Sequence, residues 1–155
     1  MAGGVLNGKV ALITGGSRGL GREMAVAYAR AGAAGIAITA APGTDEKTVE
    51  IQEELNEVHT AIEAEGVKGI TLLGDVTSTE DCARVVEETV KTFGSLHILI
   101  NNAGKSGRYV HYGDGSISIS DGDPAGFKDV IDANILGPYL MIHAAFKHLQ
   151  AAGWG

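Results

Sequence analysis

Short apolar runs alternate with longer stretches of helical periodicity along most of the chain. Four of the runs predict buried strands, at residues 9–14, 35–39, 70–73 and 96–100. Between them, apolar residues recur at the three- and four-residue spacing of helices that cover one face of a sheet. Because strands and helices alternate, the pattern predicts an α/β fold: a doubly wound parallel sheet of about four strands, with right-handed crossovers and helices on both faces.

Residues that start or stop helices mark the predicted helix boundaries. The Ala-rich segment 20–31 ends before Gly32, and glycine suits a helix C-terminus because it adopts the left-handed conformation easily. A long acidic helix is predicted at about residues 45–65, with one apolar stripe and a solvated face. Ser78 begins an S-x-x-D signal, in which the serine side chain caps the next helix.

A long segment without periodicity precedes a strongly apolar last helix. Residues 105–123 are rich in Gly, Ser and Asp and predict a long loop, in which the alternation at 116–120 allows a small hairpin. Asp123-Pro124 has the form of a helix N-cap followed by proline at the first helical position. The helix that starts there runs to about Ala152 and is apolar around much of its circumference, so we expect it to be covered on two sides.

Composition and charge narrow the possible partners and location. The 155 residues favour one domain with its own hydrophobic core. The net charge is −7 and no basic run occurs, so no nucleic-acid partner is expected. No apolar run approaches the ~20 residues that span a bilayer, so no membrane segment is expected. Cys82 is the only cysteine, so no internal disulfide is possible, which fits a reducing, cytoplasmic location. Cys82 is predicted to lie in the core, and the scattered histidines predict no metal site.

A glycine-rich segment, Thr14-Gly15-Gly16-Ser17-Arg18-Gly19-Leu20-Gly21, joins the first predicted strand to the first predicted helix. Glycine there allows a tight turn, close approach of the backbone to a phosphate, and close packing of the helix on the strand. The N-terminus of the helix adds unpaired N–H groups and a partial positive charge, which suit a pyrophosphate. The alternative is a glycine-rich turn without a ligand. The context favours a dinucleotide site of the Rossmann type, with binding residues Gly15, Ser17, Arg18, Gly19, Leu20 and Gly21.

Three further segments complete a recognisable set. Asp75-Val76 ends the third predicted strand, Asn101-Asn102-Ala103-Gly104 follows the fourth, and Asn134 lies in the last helix. Together with the T-G-x-x-x-G-x-G pattern, they resemble the short-chain dehydrogenase/reductase family over about residues 5–152. The resemblance implies that Asp75 and Val76 lie beside the adenine of the cofactor. It also implies that Asn102, Ala103 and Gly104 line the cofactor cleft, and that Asn134 supports a catalytic proton relay.

Each of these polar residues also has a purely structural interpretation. Asp75 could cap the end of a strand, and Asn102 could fix a turn through its side chain. Asn134 could satisfy the backbone of a kinked helix. The structural and functional interpretations differ in which atoms the side chains contact.

The end of the second predicted strand bears on the choice of cofactor. Sites for NAD often carry an acidic residue there, which binds the ribose 2′-hydroxyl. Here residues 39–42 are Thr-Ala-Ala-Pro, and the first acid is Asp45. Arg18 in the glycine loop could instead meet a 2′-phosphate, although it could also point to solvent. We therefore expect NADP to be preferred, with NAD as the alternative.

The resemblance also implies a catalytic pair that the sequence lacks. In the family, a Tyr is followed four residues later by a Lys, after the helix that carries the Asn. None of the four tyrosines here (Tyr28, Tyr109, Tyr112 and Tyr139) has Lys at that spacing. The sequence ends at Gly155, about where the next strand of the family would begin. We therefore interpret residues 1–155 as a single, partial dinucleotide-binding domain of a C-terminally truncated member.

Three functions are consistent with these features. The first is an oxidoreductase that moves hydride between NADP(H) and a carbonyl or alcohol, with a second polypeptide or segment supplying the missing pair. The second is a module that binds a dinucleotide, or pairs with a homologue, without turnover. The third is a non-redox enzyme, such as a lyase or cyclase, that uses the loop at 105–123 and Asn134. The sequence leaves the small-molecule substrate open.

Without a fifth strand, residues 96–100 would form an apolar sheet edge, which promotes association. We therefore expect a homo-oligomer, or a partner chain that covers this edge, or else low stability. Size-exclusion chromatography and thermal melting of the purified chain test this expectation. A stable monomer would contradict it.

Overall fold

The computed structural model describes residues 4–106 and 123–153, and strands and helices alternate along them. The first part contains β1 (Val10–Thr14), α1 (Gly19–Arg30), β2 (Gly35–Ala40), α2 (Asp45–Ala64), β3 (Lys68–Leu73), α3 (Thr79–Phe93) and β4 (Ile98–Ile100). The second part contains α4 (Pro124–Ile131), a π-helical turn (Asp132–Leu136) and α5 (Gly137–Ala152).

The four strands form one parallel sheet in the order β3-β2-β1-β4. Leu12 of β1 lies opposite Ala37 of β2 and Leu99 of β4, so the strand ends that precede the loops meet at one edge. The predicted α/β, doubly wound, four-stranded sheet is confirmed. The chain builds outward from β1 to β3 and then returns to the other side of β1. Such a reversal opens a crevice at the carboxyl ends of the strands, between β1 and β4.

Apolar side chains fill both faces of the sheet. Because successive residues of a strand point to opposite faces, Ile13 packs with α1 and α2, whereas Leu12 packs with α3 and α5. Leu55 and Met141 are fully or almost fully buried in the respective layers. Helices on both faces, as predicted, therefore hold the strand ends in place. Within residues 4–106 and 123–153, no helix is both long and apolar enough to cross a membrane.

The predicted helix boundaries agree within about one residue, and each strand differs at one boundary, by one residue in β1 and β2 and by two in β3 and β4. Gly32 has φ +81° just after α1, and Ser78 Oγ accepts a hydrogen bond from Asp81 N at 3.2 Å. Asp123 caps α4 through the N–H groups of the next turn. β3 begins at Lys68 rather than at residue 70, and β4 pairs only over Ile98–Ile100. The alternation at 116–120 and most of the predicted loop lie outside the described residues.

The last helix differs from its prediction in two respects. A π-helical turn at Asp132–Leu136 interrupts it, so it is not one continuous α-helix. The expected cover on two sides is also wrong for the described residues. Met141 and Ala145 are buried against α3, but a stripe on the opposite side is exposed, consisting of Ile135 (65%), Tyr139 (62%), Ile142 (48%) and Phe146 (59%). The apolar composition thus reflects a second face that no described residue covers.

His97 ties the start of β1 to the segment that leads into β4. Its ring Nδ1 accepts a hydrogen bond from Val10 N at 3.1 Å, and its backbone N–H donates to Val10 O at 3.0 Å. Accepting through Nδ1 requires a neutral ring. Burial lowers the pKa of His97, and the positive charge of Lys9 lowers it further.

This pKa shift predicts that stability falls with acidification. The folded state binds fewer protons than the unfolded state, so the contribution of His97 is complete above the ordinary histidine pKa of about 6.5 and is lost as the pH falls below it. His97→Asn keeps an acceptor oxygen but does not titrate. Between about pH 7.5 and pH 5.5, its melting temperature should therefore fall less than that of wild type. His143→Asn, at an exposed position of α5, is the control. An unchanged pH dependence in His97→Asn would contradict the role of His97.

Candidate functional site

An open cleft of about 570 Å³ lies at the carboxyl edge of the sheet, where the strand order reverses. Its walls come from the glycine loop, from the ends of β2 and β3, from the first turns of α2, and from the segment after β4. The lining residues are Gly15, Ser17, Arg18, Ala40, Ala41, Lys47, Glu50, Ile51, Asp75, Val76, Thr77, Asn102, Ala103, Gly104, Lys105 and Ala133. The cleft thus brings together segments predicted separately from the sequence.

The glycine loop is packed too closely to accept a side chain at Gly15 or Gly21, and a Cβ on Gly16 would likewise lie 2.6 Å from the Cβ of Ile38. Gly15 has φ +65°, and a Cβ there would lie 2.9 Å from the Cα of Ala103. A Cβ on Gly21 would lie 2.1 Å from the carbonyl oxygen of Gly15. The contact at Gly15 is the close approach between the loop and the segment after β4, and the contact at Gly21 is the packing of α1 on the loop. Gly21 therefore lies beneath the loop rather than in the cleft lining.

The N-terminus of α1 lacks a side-chain cap. Arg18 is the N-cap residue, and its side chain accepts no hydrogen bond from the helix, in contrast to Ser78 and Asp123 at the starts of α3 and α4. The first N–H groups of an α-helix have no partner within the helix. Gly19 and Leu20, in this first turn, are exposed, but neither is among the residues that line the cleft. These donors and the helix dipole therefore remain available to an anion.

Thr14 and Asn102 join the end of β1 to the end of β4. Thr14 Oγ1 donates to Ile100 O at 3.3 Å and accepts from the N–H groups of Asn102 and Ala103 at 3.1 and 3.0 Å. In return, Asn102 Nδ2 donates to Thr14 O at 2.9 Å and to Gly15 O at 3.0 Å. We call this set of bonds the Thr14–Asn102 clasp. It supports the structural interpretation of Asn102, which also lines the cleft.

Asp75 fixes the turn between β3 and α3. Its Oδ1 accepts from both the N–H and the hydroxyl of Thr77 at 2.9 Å. Its own N–H donates to Asp81 Oδ2 at 2.9 Å. That bond, together with Arg84, holds the pKa of Asp81 below its ordinary value. Asp75 therefore acts as a strand-end cap, and it also lines the cleft.

The side chain of Asn134 is engaged at both ends. Its Oδ1 accepts from Lys105 N at 3.0 Å, and its Nδ2 donates to Lys105 O at 2.7 Å. A Cβ on Gly104 would lie 2.3 Å from Asn134 Oδ1, so glycine is required beside it. Asn134 lies in the π-helical turn and not in the cleft lining, where its neighbour Ala133 is found. In this structure Asn134 positions the segment after β4.

The wall at the end of β2 carries more charged side chains than the sequence predicts for the site. Arg18 was predicted as a binding residue, and its side chain is 66% exposed with Nε 3.2 Å from Glu54 Oε2. Lys47 also lines the cleft, whereas the sequence predicts only that the Glu residues of α2 form a solvated face and assigns no role to Lys47. Thr14, known only as the start of the motif, was missed as a structural residue. The available signal was a hydroxyl at the end of a fully apolar strand, where Thr14 is 1% exposed.

Other reactive groups do not form a competing site among the described residues. Cys82 is buried, its Sγ lies 3.2 Å from Val76 O, and burial raises the pKa of its thiol to about 11. No three His, Cys, Asp or Glu side chains within 4–106 and 123–153 are arranged to hold a metal ion. A larger groove of about 670 Å³ lies along β4 and α5, but its lining is mainly apolar and shares no residue with the cleft.

Comparison with known proteins identifies relatives of this architecture. Residues 9–155 match a family model described as short chain dehydrogenase. The peroxisomal 2,4-dienoyl-CoA reductase of Arabidopsis thaliana is 36% identical over 151 residues, which are 97% of this chain and 45% of that protein. The chain spans about half the length of the curated relatives it matches.

Solved structures share the fold over nearly the whole chain. Carveol dehydrogenase from Mycobacterium avium in complex with NAD aligns with a TM-score of 0.81 at 29% identity, covering 98% of this chain and 53% of that one. A metagenomic short-chain oxidoreductase in complex with NADP aligns with a TM-score of 0.78 at 27% identity, covering 97% and 60%. Both of these similar proteins were solved with a nicotinamide dinucleotide.

The clasp predicts a large difference between adjacent asparagines. Asn102→Ala removes two hydrogen bonds to the backbone of the glycine loop and should lower the free energy of unfolding by about 1–3 kcal/mol. Asn101→Ala, at an exposed position, should change it by less than about 0.5 kcal/mol. Urea unfolding of both variants measures the difference. Equal losses would show that the clasp contributes little.

Proposed function

The chain belongs to the short-chain dehydrogenase family, and on that premise we propose that it forms the NADP(H)-binding part of an oxidoreductase acting on a carbonyl or alcohol. The observation that carries the proposal is the uncapped N-terminus of α1 beneath a glycine loop that borders the cleft. Residues 1–155 would act as one dinucleotide-binding unit. The cofactor would supply the hydride, and the chain would bind and orient the cofactor.

The residues of the cleft fit such a cofactor from end to end. The pyrophosphate would lie over Gly15 and the first turn of α1, where N–H groups are unpaired and no Cβ intervenes. The adenine would lie beside Asp75 and Val76, and the nicotinamide end would lie along residues 102–104. Because the net charge of the chain is −7, the electrostatic field of the whole protein repels anions. The pyrophosphate must therefore be held by these local donors.

The preference for NADP is part of the proposal. The end of β2 offers Ala40 and Ala41 and no carboxylate for a ribose 2′-hydroxyl, while Arg18 borders the same region. NAD remains the second candidate, because Glu54 already lies 3.2 Å from Arg18 Nε and would compete with a phosphate. Arg18 would meet the 2′-phosphate through charge-assisted hydrogen bonds.

A non-catalytic binding module is the second candidate function, and two observations favour it for the chain alone. No tyrosine in the 155 residues is followed four positions later by lysine. Asn134, the remaining candidate for a relay, uses both ends of its side chain to hold Lys105. Turnover would therefore require an acid–base group from outside this sequence.

Association with a second chain is a further part of the proposal. β4 has no neighbour on its outer side among the described residues, and the exposed stripe of α5 lies nearby. A homo-oligomer, or a partner chain covering residues 96–100, would bury this apolar surface. We also propose a cytoplasmic location, because a reducing compartment suits the free thiol of Cys82.

Titration of the purified chain with NADPH, followed by nucleotide fluorescence, tests the proposal. Saturable binding is expected, and Arg18→Gln should weaken NADPH binding about tenfold while changing NADH binding little. Arg30→Gln is the control, because Arg30 is at the far end of α1, paired with Glu65. Failure to bind either dinucleotide would overturn the proposal. Hydride turnover by the 155 residues alone would overturn the binding-module alternative.

A further inference from the structure

We propose that Lys105 recognises a negatively charged group of the substrate, so that the carbonyl or alcohol compound is one that carries a carboxylate. The inference rests on the function proposed above and names the substrate class of the same cleft. Lys105 lines the cleft directly after residues 102–104, along which the nicotinamide end of the cofactor would lie. A compound that exchanges hydride with the nicotinamide must contact that end, so Lys105 lies on the substrate side of the proposed cofactor position.

The wall that contains Lys105 carries a positive charge and no carboxylate in the lining. Among the described residues, the other charged members of the lining lie on the glycine loop, on α2 or at the end of β3, and they are Arg18, Lys47, Glu50 and Asp75. The lining residues nearest to Lys105 in the chain, at 102–104, are uncharged, as is Ala133 of the π-helical turn. This wall therefore favours an anionic ligand over a cationic one.

The backbone of Lys105 is held on both sides by one residue. Asn134 Oδ1 accepts from Lys105 N at 3.0 Å, and Asn134 Nδ2 donates to Lys105 O at 2.7 Å. Because these two bonds fix the peptide groups on either side of its Cα, the side chain of Lys105 leaves the wall of the cleft from a fixed point. A ligand that binds there does not have to order the backbone, which lowers the cost of binding.

The ammonium group of Lys105 lies at the rim of the cleft, towards α4. Its Nζ is 3.5 Å from Asp129 Oδ2, and the two side chains are 51% and 63% exposed. This separation is longer than the about 2.7–2.9 Å of a close charge-assisted hydrogen bond. Exposed ion pairs of this kind are weak, and a lysine ammonium has three donors. Lys105 can therefore donate to a ligand carboxylate, either beside Asp129 or in its place.

The local charge balance favours a carboxylate over a phosphate. Asp129 already offsets the single positive charge of Lys105 at the rim. A phosphate monoester carries a charge of about −1.5 to −2 near neutral pH, so Asp129 would repel it more strongly than it repels a carboxylate. Lysine contributes a compact point charge rather than the two-pronged donor set of arginine, and such a charge suits one carboxylate group.

The experiment measures the binding of two matched probes to the chain saturated with NADP⁺, by ligand-observed NMR. The probes are acetoacetate and its uncharged methyl ester. Lys105→Met should raise the dissociation constant of acetoacetate about fivefold, while those of the ester and of NADP⁺ change less than about twofold. Lys105→Arg keeps the charge and should retain acetoacetate binding. Lys91→Met, outside the cleft lining and paired with Glu88, is the control for net charge.

A change at Asp129 separates ligand recognition from a structural role of the ion pair. If Lys105 serves the ligand, Asp129→Asn removes a competing carboxylate and should lower the dissociation constant of acetoacetate about two- to threefold. If the pair only holds α4 against the segment after β4, Asp129→Asn and Lys105→Met should weaken acetoacetate binding alike. That second result would overturn the inference. Melting curves of the variants verify that the fold is unchanged.

The outcomes also separate the inference from the function on which it rests. If wild type binds no dinucleotide, both are overturned. If it binds NADP⁺ but binds acetoacetate no more tightly than the ester, only the substrate class is overturned. Equal weakening of NADP⁺ and acetoacetate by Lys105→Met would do the same, because Lys105 would then contact the cofactor. Tighter binding of hydroxyacetone phosphate than of acetoacetate would overturn the choice of a carboxylate.

Discussion

The Thr14–Asn102 clasp is the constraint on which the cleft depends. It links the ends of two adjacent strands through five hydrogen bonds, and its atoms come from positions about 88 residues apart in the chain. With the strand ends held this closely, the loop after β1 has no space for side chains at Gly15 and Gly21. The loop leads directly into α1, whose first turn has no side-chain cap. A single local arrangement thus determines both the shape and the polarity of the proposed binding site.

The same arrangement explains how an acidic protein can bind an anion. With a net charge of −7, the chain repels anions at long range, so affinity must arise from short-range donors. In the proposed function, the uncapped end of α1 would supply them for a pyrophosphate. Arg18 and Lys47 both line the wall beside the end of β2, and Arg18 Nε lies 3.2 Å from Glu54 Oε2. In the proposed function, backbone dipoles would serve the pyrophosphate, and cationic side chains would serve a 2′-phosphate.

Much of the fold could be predicted from the sequence because its signals are local. Four apolar runs, the capping serine at 78 and the Asp123-Pro124 start of α4 each depend on a few neighbouring residues. The clasp could not be predicted this way, since the hydroxyl of Thr14 is explained only by partners on β4 and beyond. Lys47 appears on a charged helix face in the sequence, and only the positions of the other walls show that it borders the cleft. The apolar last helix was correctly identified, but its periodicity cannot show which of its two faces is covered.

Backbone hydrogen exchange, measured with and without NADPH, tests the central claim most directly. The account predicts that saturating NADPH slows exchange at amides of residues 15–21, where the uncapped helix end would meet the pyrophosphate, and at residues 102–105 across the clasp. Amides of the groove along β4 and α5, such as those of residues 142–150, should be unaffected by the nucleotide. Unchanged exchange at residues 15–21 under saturating NADPH, or protection confined to α5, would contradict the account.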